Sequence, residues 1–208
     1  MSSYPIPNVI VQHPRGDRVT DVYSHLLSER VIYLGTEIDD GVANTVVAQL
    51  LHLEADRPEA EINLYINSPG GSLTATLAIY DAMQFIRSPV ATTGLGQAGA
   101  NAGLLLAAGA PGRRGVLPHA RVLLHQLSAQ SRGTIPDLIV EAEEVSRLRN
   151  EAELVLSRHT GQSVERLRRD TDRDLVLTPQ AAVDYGIADH VIAYRKEVLA
   201  PDRVPATA

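Results

Sequence analysis

The stretch Ile62-Asn63-Leu64-Tyr65-Ile66-Asn67-Ser68-Pro69-Gly70-Gly71-Ser72 predicts a β-strand, a tight turn and the start of a helix. Residues 62–66 are rich in β-branched and aromatic side chains, which is typical of a strand. Pro69 and the two glycines predict a turn whose backbone N–H groups can point at a ligand, and Ser72 is a typical helix N-cap. On this motif alone, an ordinary glycine-rich turn is the more frequent explanation.

Further short apolar runs lie on both sides of this unit, at residues 31–34, 90–93 and 122–124. Helical patterns separate most of them, and a repeated strand–helix–strand order implies parallel strand pairing. Small and apolar residues dominate 98–109, which predicts a buried helix. A chain of 208 residues corresponds to about one domain. The sequence therefore predicts a single α/β domain built on a parallel sheet.

A long helix is predicted over residues 134–159, with Thr134 as N-cap, Pro136 in the first turn and Gly161 as terminator. Its apolar residues recur at intervals of three and four positions, at Leu138, Ala142, Val145, Leu148, Ala152 and Val155. Such a stripe either packs on the core of its own domain or covers a partner. Shorter helices are expected to begin after Ser163 and at Thr178-Pro179.

The composition excludes several classes of function. The formal net charge is −6, whereas nucleic-acid binders carry basic patches. Cysteine is absent, which excludes disulfides and thiolate metal sites, and no metal site is expected. No stretch approaches about 20 uninterrupted apolar residues, and no signal peptide is indicated. We therefore expect a cytoplasmic protein without membrane or nucleic-acid contact, and a disordered tail over residues 197–208.

Several motifs together resemble the ClpP family, the proteolytic subunits of the ATP-dependent Clp protease (peptidase S14). The matching stretches are residues 31–35, 65–71, 79–86, 104–109, 170–174 and 184–186. The resemblance implies a crotonase/ClpP-like βαβ spiral over residues 19–196. It also implies an N-terminal axial segment over residues 1–18 and a projecting handle helix at about 134–159.

The resemblance also implies a Ser-His-Asp triad and an oxyanion hole, but the nucleophile is missing. Ala100 stands where the family has serine, while His125 matches the base and Asp174 matches its orienting carboxylate. The N–H groups of Gly71 and Asn101 match the oxyanion donors. Because the flanking lengths agree with the family, no gap brings another serine to position 100. Ser68, Ser72 and Ser128 are poor substitutes, since each belongs to another motif.

Other matching positions concern assembly. Asp172 and Arg173 resemble the ion-pairing contact between opposed rings, although an ordinary surface pair is an alternative. Tyr65 and Phe85 match the pocket in which loops of the unfoldase dock. The chain departs from the family pattern at Asn63, Asn101, Gly115 and Leu127, which favours natural divergence over a single experimental replacement of serine.

Three functions are compared. Ala100 argues against an active peptidase, and retained His125 and Asp174 argue against an acyl-CoA enzyme of the crotonase type. We expect a subunit of a Clp barrel of two stacked seven-membered rings, which hydrolyses unfolded polypeptides delivered by an AAA+ unfoldase of the ClpX, ClpC or ClpA type. ATP is used by that partner, and no cofactor is expected here. The rings are either uniform or, as with inactive ClpR-like subunits, mixed with an active paralogue.

Overall fold

The computed structural model describes residues 5–11, 16–126 and 133–193 of the chain. Within these ranges the strands are β1 Asn8–Val11, β2 Arg18–Asp21, β3 Val31–Leu34, β4 Ile62–Ser68, β5 Val90–Gly99, β6 Arg114–Val116, β7 Arg121–Leu124, β8 Leu175–Leu177 and β9 His190–Val191. The helices are α1 Val22–Ser28, α2 Asp40–Asp56, α3 Leu73–Phe85, α4 Asn101–Ala107, α5 Ile135–Thr160, α6 Val164–Asp170 and α7 Pro179–Tyr185. β1 and β2 form a separate antiparallel pair.

The other strands form one mixed sheet, in the order β3-β4-β5-β6-β9, with β7 paired to β5 and β8 paired to β7. Every pair in this sheet is parallel except β7–β8. The predicted parallel α/β architecture is therefore confirmed, and it agrees with the crotonase-like spiral that the resemblance implied. The antiparallel β7–β8 pair is a feature that the strand–helix–strand pattern did not indicate.

Strand β5 divides between two neighbours, and this division positions the candidate site. Its first half pairs with β6 and its last three residues pair with β7. Between the two halves the register against β4 shifts, because Ile66 lies opposite Gly94 whereas Ser68 lies opposite Ala98. The side-chain Oδ1 of Asn67 accepts a hydrogen bond of 3.1 Å from the Gln97 N–H in the irregular stretch. The end of β5 is thereby turned toward β7.

This arrangement corrects the helix that the sequence predicted over residues 98–109. Ala98 and Gly99 belong to β5, where Ala98 pairs with β4 and β7 and Gly99 pairs with β7, so the helix begins only at Asn101. A run of small residues predicts a buried helix, but it also fits a central strand, because small side chains allow the neighbouring strands to approach closely. Helix α4 itself is buried, as expected.

Helices α2, α3 and α4 cover one face of the sheet and form the main core with it. In β4 the buried and half-buried residues alternate, as expected for a strand with one covered face. The side chains that are at most 1% exposed include Leu50, Ile62, Leu64, Ile66, Ile79, Leu105 and Leu106. Asn63 and Tyr65 consequently lie on the opposite face of β4.

Helix α5 has the ends that the sequence predicted. Thr134 and Asp137 form a capping box, and Gly161 ends the helix in the left-handed conformation at φ 72°. Residues 135–147 are exposed apart from the half-buried Val145, whereas Glu153, Val155 and Thr160 are buried. The first half of α5 therefore projects from the domain, and its second half packs on the core. Core packing therefore explains the apolar stripe in the second half of the helix, and the handle over the first half remains a prediction.

The remaining helix predictions are confirmed. Ser72, Ser163 and Thr178 cap α3, α6 and α7 by accepting a backbone hydrogen bond. No helix within the described residues is long and apolar enough to cross a membrane. Leu127, Ser128 and the expected disordered tail over 197–208 lie outside the described residues, and the proposed segment boundaries remain predictions.

Candidate active site

Position 100 lies at a sharp turn between β5 and α4. Ala100 has φ 46° and ψ −122°, a conformation that residues other than glycine rarely adopt. Such backbone strain is typical of functional positions, and a strand-to-helix turn of this kind exposes its side chain above the edge of a sheet. The chain therefore retains the backbone conformation of a nucleophile elbow, although the alanine methyl group carries no reactive oxygen.

Close backbone contacts hold this elbow. A Cβ atom added to Gly99 would lie 2.6 Å from the carbonyl oxygen of Pro69, and one added to Gly70 would lie 2.8 Å from the Cβ of Ala100. Since real Cβ atoms do not approach other atoms this closely, both positions require glycine. The turn after β4 and the turn after β5 thus pack directly against each other.

The backbone N–H of Gly71 points away from Ile38, with which Gly71 forms an isolated β-bridge. Ile38 donates its N–H to the carbonyl of Gly70 at 2.8 Å and accepts from the N–H of Ser72 at 2.8 Å. In a planar trans peptide the N–H and C=O point in opposite directions. The Gly71 N–H shares a peptide with the Gly70 carbonyl and therefore points away from Ile38. The Gly71 carbonyl shares a peptide with the Ser72 N–H and points away from Ile38 for the same reason.

Asn101 completes this side of the site. Its Nδ2 donates to the carbonyl of Gly71 at 2.8 Å. Its backbone N–H lies in the first turn of α4, where no carbonyl of the same helix can accept it. Within the described residues, the N–H groups of Gly71 and Asn101 have no hydrogen-bond acceptor. Both of the expected oxyanion donors are thus available to a ligand.

Ala100 and His125 line the same small cavity, of about 40 Å³. The turn after β5 carries Ala100, and the strand end after β7 carries His125. The other residues that line the cavity are Leu73, Asn101, Leu104, Leu124, Gln126, Arg149, Ala152, Glu153, Leu156, Leu167 and Thr171. Asp174 is not among them.

His125 and Asp174 flank the end of the β7–β8 ladder but are not joined. The last registered pair of this ladder is Leu124 with Leu175, so His125 directly follows β7 and Asp174 directly precedes β8. Both residues are exposed, and the His125 Nδ1 lies 2.7 Å from the carbonyl of Gln126. No hydrogen bond joins the two side chains within the described residues. The base and its expected carboxylate are therefore close in the fold without forming the orienting contact.

A buried ionic cluster that the sequence analysis missed lies beside His125. The carboxylate of Glu153 is buried and accepts from Arg149 at 2.8 Å and from Arg168 at 2.7 Å. Arg149 also donates to the side chain of Gln126 at 3.0 Å. The four-residue spacing of Arg149 and Glu153 was a visible signal for the first ion pair. The contact to Gln126 depends on the tertiary fold.

The expected ring-contact residues lie directly beyond this cluster. The carbonyl of Asp172 accepts from the Gln126 side chain at 3.3 Å. The side chains of Asp172 and Arg173 are both exposed. Neither of them forms an ion pair inside the described part of the chain.

The expected docking residues lie apart from this cavity. Phe85 is 82% exposed at the end of α3, and Tyr65 lies half-buried between Tyr33 and Thr93 in neighbouring strands. A Cβ atom on Gly115, where the chain departs from the expected family pattern, would overlap the Cδ1 of Ile192. The side chain of Ile192 thus occupies the space beside Gly115.

Within the described residues, no group of three or more His, Cys, Asp or Glu side chains is arranged to hold a metal ion.

Comparison with known proteins shows one family. Residues 14–195 match the family model described as Clp protease. The chain is 61% identical to the ATP-dependent Clp protease proteolytic subunit 1 of Nocardia farcinica over 94% of its length and 100% of that relative. It is 60% identical to subunit 4 of Rhodococcus jostii and 57% identical to subunit 2 of Streptomyces avermitilis, covering 100% of both.

Proposed function

The chain belongs to the Clp protease family, and from this premise we propose that it is a subunit of the Clp protease barrel that cannot cleave peptides by itself. The family activity is serine-type hydrolysis of unfolded polypeptides. In this chain the elbow, the base and the oxyanion donors remain, but the nucleophile is absent.

The observation that carries this proposal is the elbow at Ala100. Its strained backbone and its position beside His125 support its assignment as the nucleophile position. Without a hydroxyl, His125 has no proton to remove and no acyl-enzyme forms. Loss of the serine from such a triad lowers kcat about a million-fold.

The test compares the purified chain with Ala100→Ser. We expect the unmodified chain to cleave neither fluorogenic peptides nor casein and to take no label from a fluorophosphonate. We expect Ala100→Ser to gain measurable peptidase activity and to be labelled at position 100. Ala100→Ser/His125→Ala is the matched control, which should return to the inert state. Cleavage or labelling by the unmodified chain would contradict the proposal.

The assembly that we propose is a pair of stacked rings joined by the projecting half of α5. This half exposes large apolar side chains, with Ile135 at 75%, Ile139 at 56% and Val140 at 67%. Burial of such a surface against the α5 of a facing subunit removes it from water. The exposed Asp172 and Arg173, which form no ion pair within the described chain, are available to a facing subunit.

Mixed rings are the second form of this proposal. The names of the relatives carry the subunit numbers 1, 4 and 2, which indicates that each is one of several Clp proteolytic subunits. In a mixed ring this chain supplies walls and contacts while an active paralogue supplies serine. Co-expression with such a paralogue, followed by native mass spectrometry, distinguishes mixed from uniform rings.

We further propose that an AAA+ unfoldase of the ClpX, ClpC or ClpA type delivers substrates to the barrel in the cytoplasm. That partner consumes ATP, and this chain uses no cofactor. The exposed side chain of Phe85 supports a docking surface. Asn63 and Gly115 provide no large apolar side chain to this surface, and Ile192 occupies the space beside Gly115. Binding of the unfoldase to uniform rings of this chain should therefore be weak.

A further inference from the structure

The side chain of Asn101 connects the two turns that carry the candidate oxyanion donors. Gly71 belongs to the turn after β4, and Asn101 begins the helix after β5. The Asn101 Nδ2 donates to the Gly71 carbonyl at 2.8 Å, across 30 residues of sequence. The other close contacts between the two turns are made by the backbones at Gly70 and Gly99.

The bond acts on the same glycine whose N–H is the first donor. The Gly71 carbonyl and the Gly71 N–H both point away from the Ile38 bridge, toward the side on which Asn101 lies. The bridge holds the peptides before and after Gly71 from one side, and Asn101 holds the Gly71 carbonyl from the other. Two hydrogen bonds to Ile38 and one to Asn101 therefore fix the orientation of the free N–H.

The same residue supplies the second donor through its backbone. The Asn101 N–H lies next to the elbow, and its nitrogen is 3.2 Å from the place where a Cβ on Gly70 would stand. One residue thus contributes a backbone donor and determines the position of the other donor. Donors that are already oriented lose little free energy in reorganisation when charge develops on a substrate oxygen.

We infer that Asn101 is a positioning residue, whose carboxamide sets the separation and direction of the Gly71 and Asn101 N–H groups for a carbonyl oxygen. This inference rests on the proposed function, because it takes these two groups to be the oxyanion donors. It predicts that the carboxamide affects the chemical step rather than the binding of peptide.

The kinetic test is made in the Ala100→Ser chain, where there is a reaction to measure. Replacement by Asn101→Leu keeps the size of the side chain and removes its donor. Since misplaced catalytic groups cost up to about 100-fold in rate, we expect kcat to fall about 10- to 100-fold with KM changed less than about twofold. Asn101→Asp should lower kcat further, because an ionised carboxylate cannot donate and repels the developing oxyanion.

The matched control is Asn44→Leu, an equivalent change at an exposed position of α2. It should leave kcat and KM at the values of Ala100→Ser. Ring yield and melting temperature are measured for every variant, so that loss of assembly is recognised. An unchanged kcat in Asn101→Leu, or a loss that appears in KM alone, would overturn the inference.

A second measurement applies to the unmodified chain. The Ser72 N–H is hydrogen-bonded to Ile38 and should become less protected when the Gly71 carbonyl is released. We expect Asn101→Leu to accelerate hydrogen exchange at Ser72 about tenfold or more, and Asn44→Leu to leave it unchanged. If Ala100→Ser is inert, the expected gain of activity is wrong while the proposal that the unmodified chain does not cleave stands, and the exchange rate at Ser72 then tests whether the Asn101 carboxamide holds the Gly71 turn. Unchanged exchange would overturn the inference.

Discussion

The two halves of the candidate site differ in what holds them. The elbow half, residues 70–71 and 99–101, is fixed by backbone contacts, a strand bridge and the Asn101 side chain. The histidine half, residues 124–126 and 171–174, has exposed His125 and Asp174 side chains that do not meet. The first half is therefore fixed by contacts within one chain, whereas no described contact within the chain joins the side chains of the second half.

The largest effect is expected from breaking the proposed assembly, on which we expect the histidine half, but not the elbow half, to depend. In the Ala100→Ser chain, Val145→Glu places a charge at the half-buried position where α5 leaves the domain. An unpaired charge in a covered interface costs several kcal/mol, and a ring repeats that cost in every subunit. We expect sedimentation to show single rings or smaller species, with peptidase activity lost.

The control for this change is Glu143→Lys at an exposed position of the same helix. It should leave the double rings intact. Hydrogen exchange at Ser72 should stay the same in both variants, since the elbow half is held within the chain. Intact double rings in Val145→Glu would show that the first half of α5 is not the contact.

A second prediction tests the packing of the elbow half. Gly99→Ala brings a Cβ to 2.6 Å from the carbonyl of Pro69, with backbone on both sides. Overpacking of this kind costs about 1–3 kcal/mol, so the free energy of unfolding should fall by that amount. Denaturation in urea measures it. Gly41→Ala is the control in the first turn of α2 and should be neutral or slightly stabilising; equal effects would contradict the close packing.

The smallest effect is expected at the cluster beside the histidine half. Arg149→Met removes the hydrogen bonds to Glu153 and Gln126, while Arg168 still pairs with Glu153. We expect a loss of about 1 kcal/mol of stability and, in the Ala100→Ser chain, a kcat reduced a few-fold.

Arg147→Met, on the same helix, is the matched control for this cluster. It breaks an exposed ion pair with Glu144 worth about 0.2–0.5 kcal/mol. It should not change kcat. If the two arginine variants have the same kcat, the contact between Arg149 and Gln126 does not affect the position of His125.

Much of the fold follows from local patterns in the sequence. The ends of α5 were predicted because Thr134, Pro136 and Gly161 act on the backbone beside them. The start of α4 was predicted wrongly, since small residues fit both a buried helix and a crowded strand. Pairing of Ala98 with β4 and β7 decides between these, and such long-range pairing leaves no local signal.

For the site, the resemblance placed Ala100, His125 and Asp174 together, whereas only Ala100 and His125 line the same cavity. The resemblance did not reveal that Nδ1 of His125 contacts Gln126, nor the Arg149–Glu153–Arg168 cluster beside it. The cluster joins α5 to α6, and Arg149 links it to Gln126 in the segment after β7. Side-chain orientation at such a junction depends on packing, which a motif does not encode.

The sequence by itself determined the family, the parallel α/β architecture and the absence of a hydroxyl at position 100, because each depends on residue identity and local periodicity. Only the tertiary structure decided that Ala100 keeps a strained elbow at φ 46° and that Asn101 holds Gly71. It also decided where α5 leaves the core. The physical reason is that these features arise from contacts between segments far apart in the chain, and backbone strain persists only where such contacts enforce it.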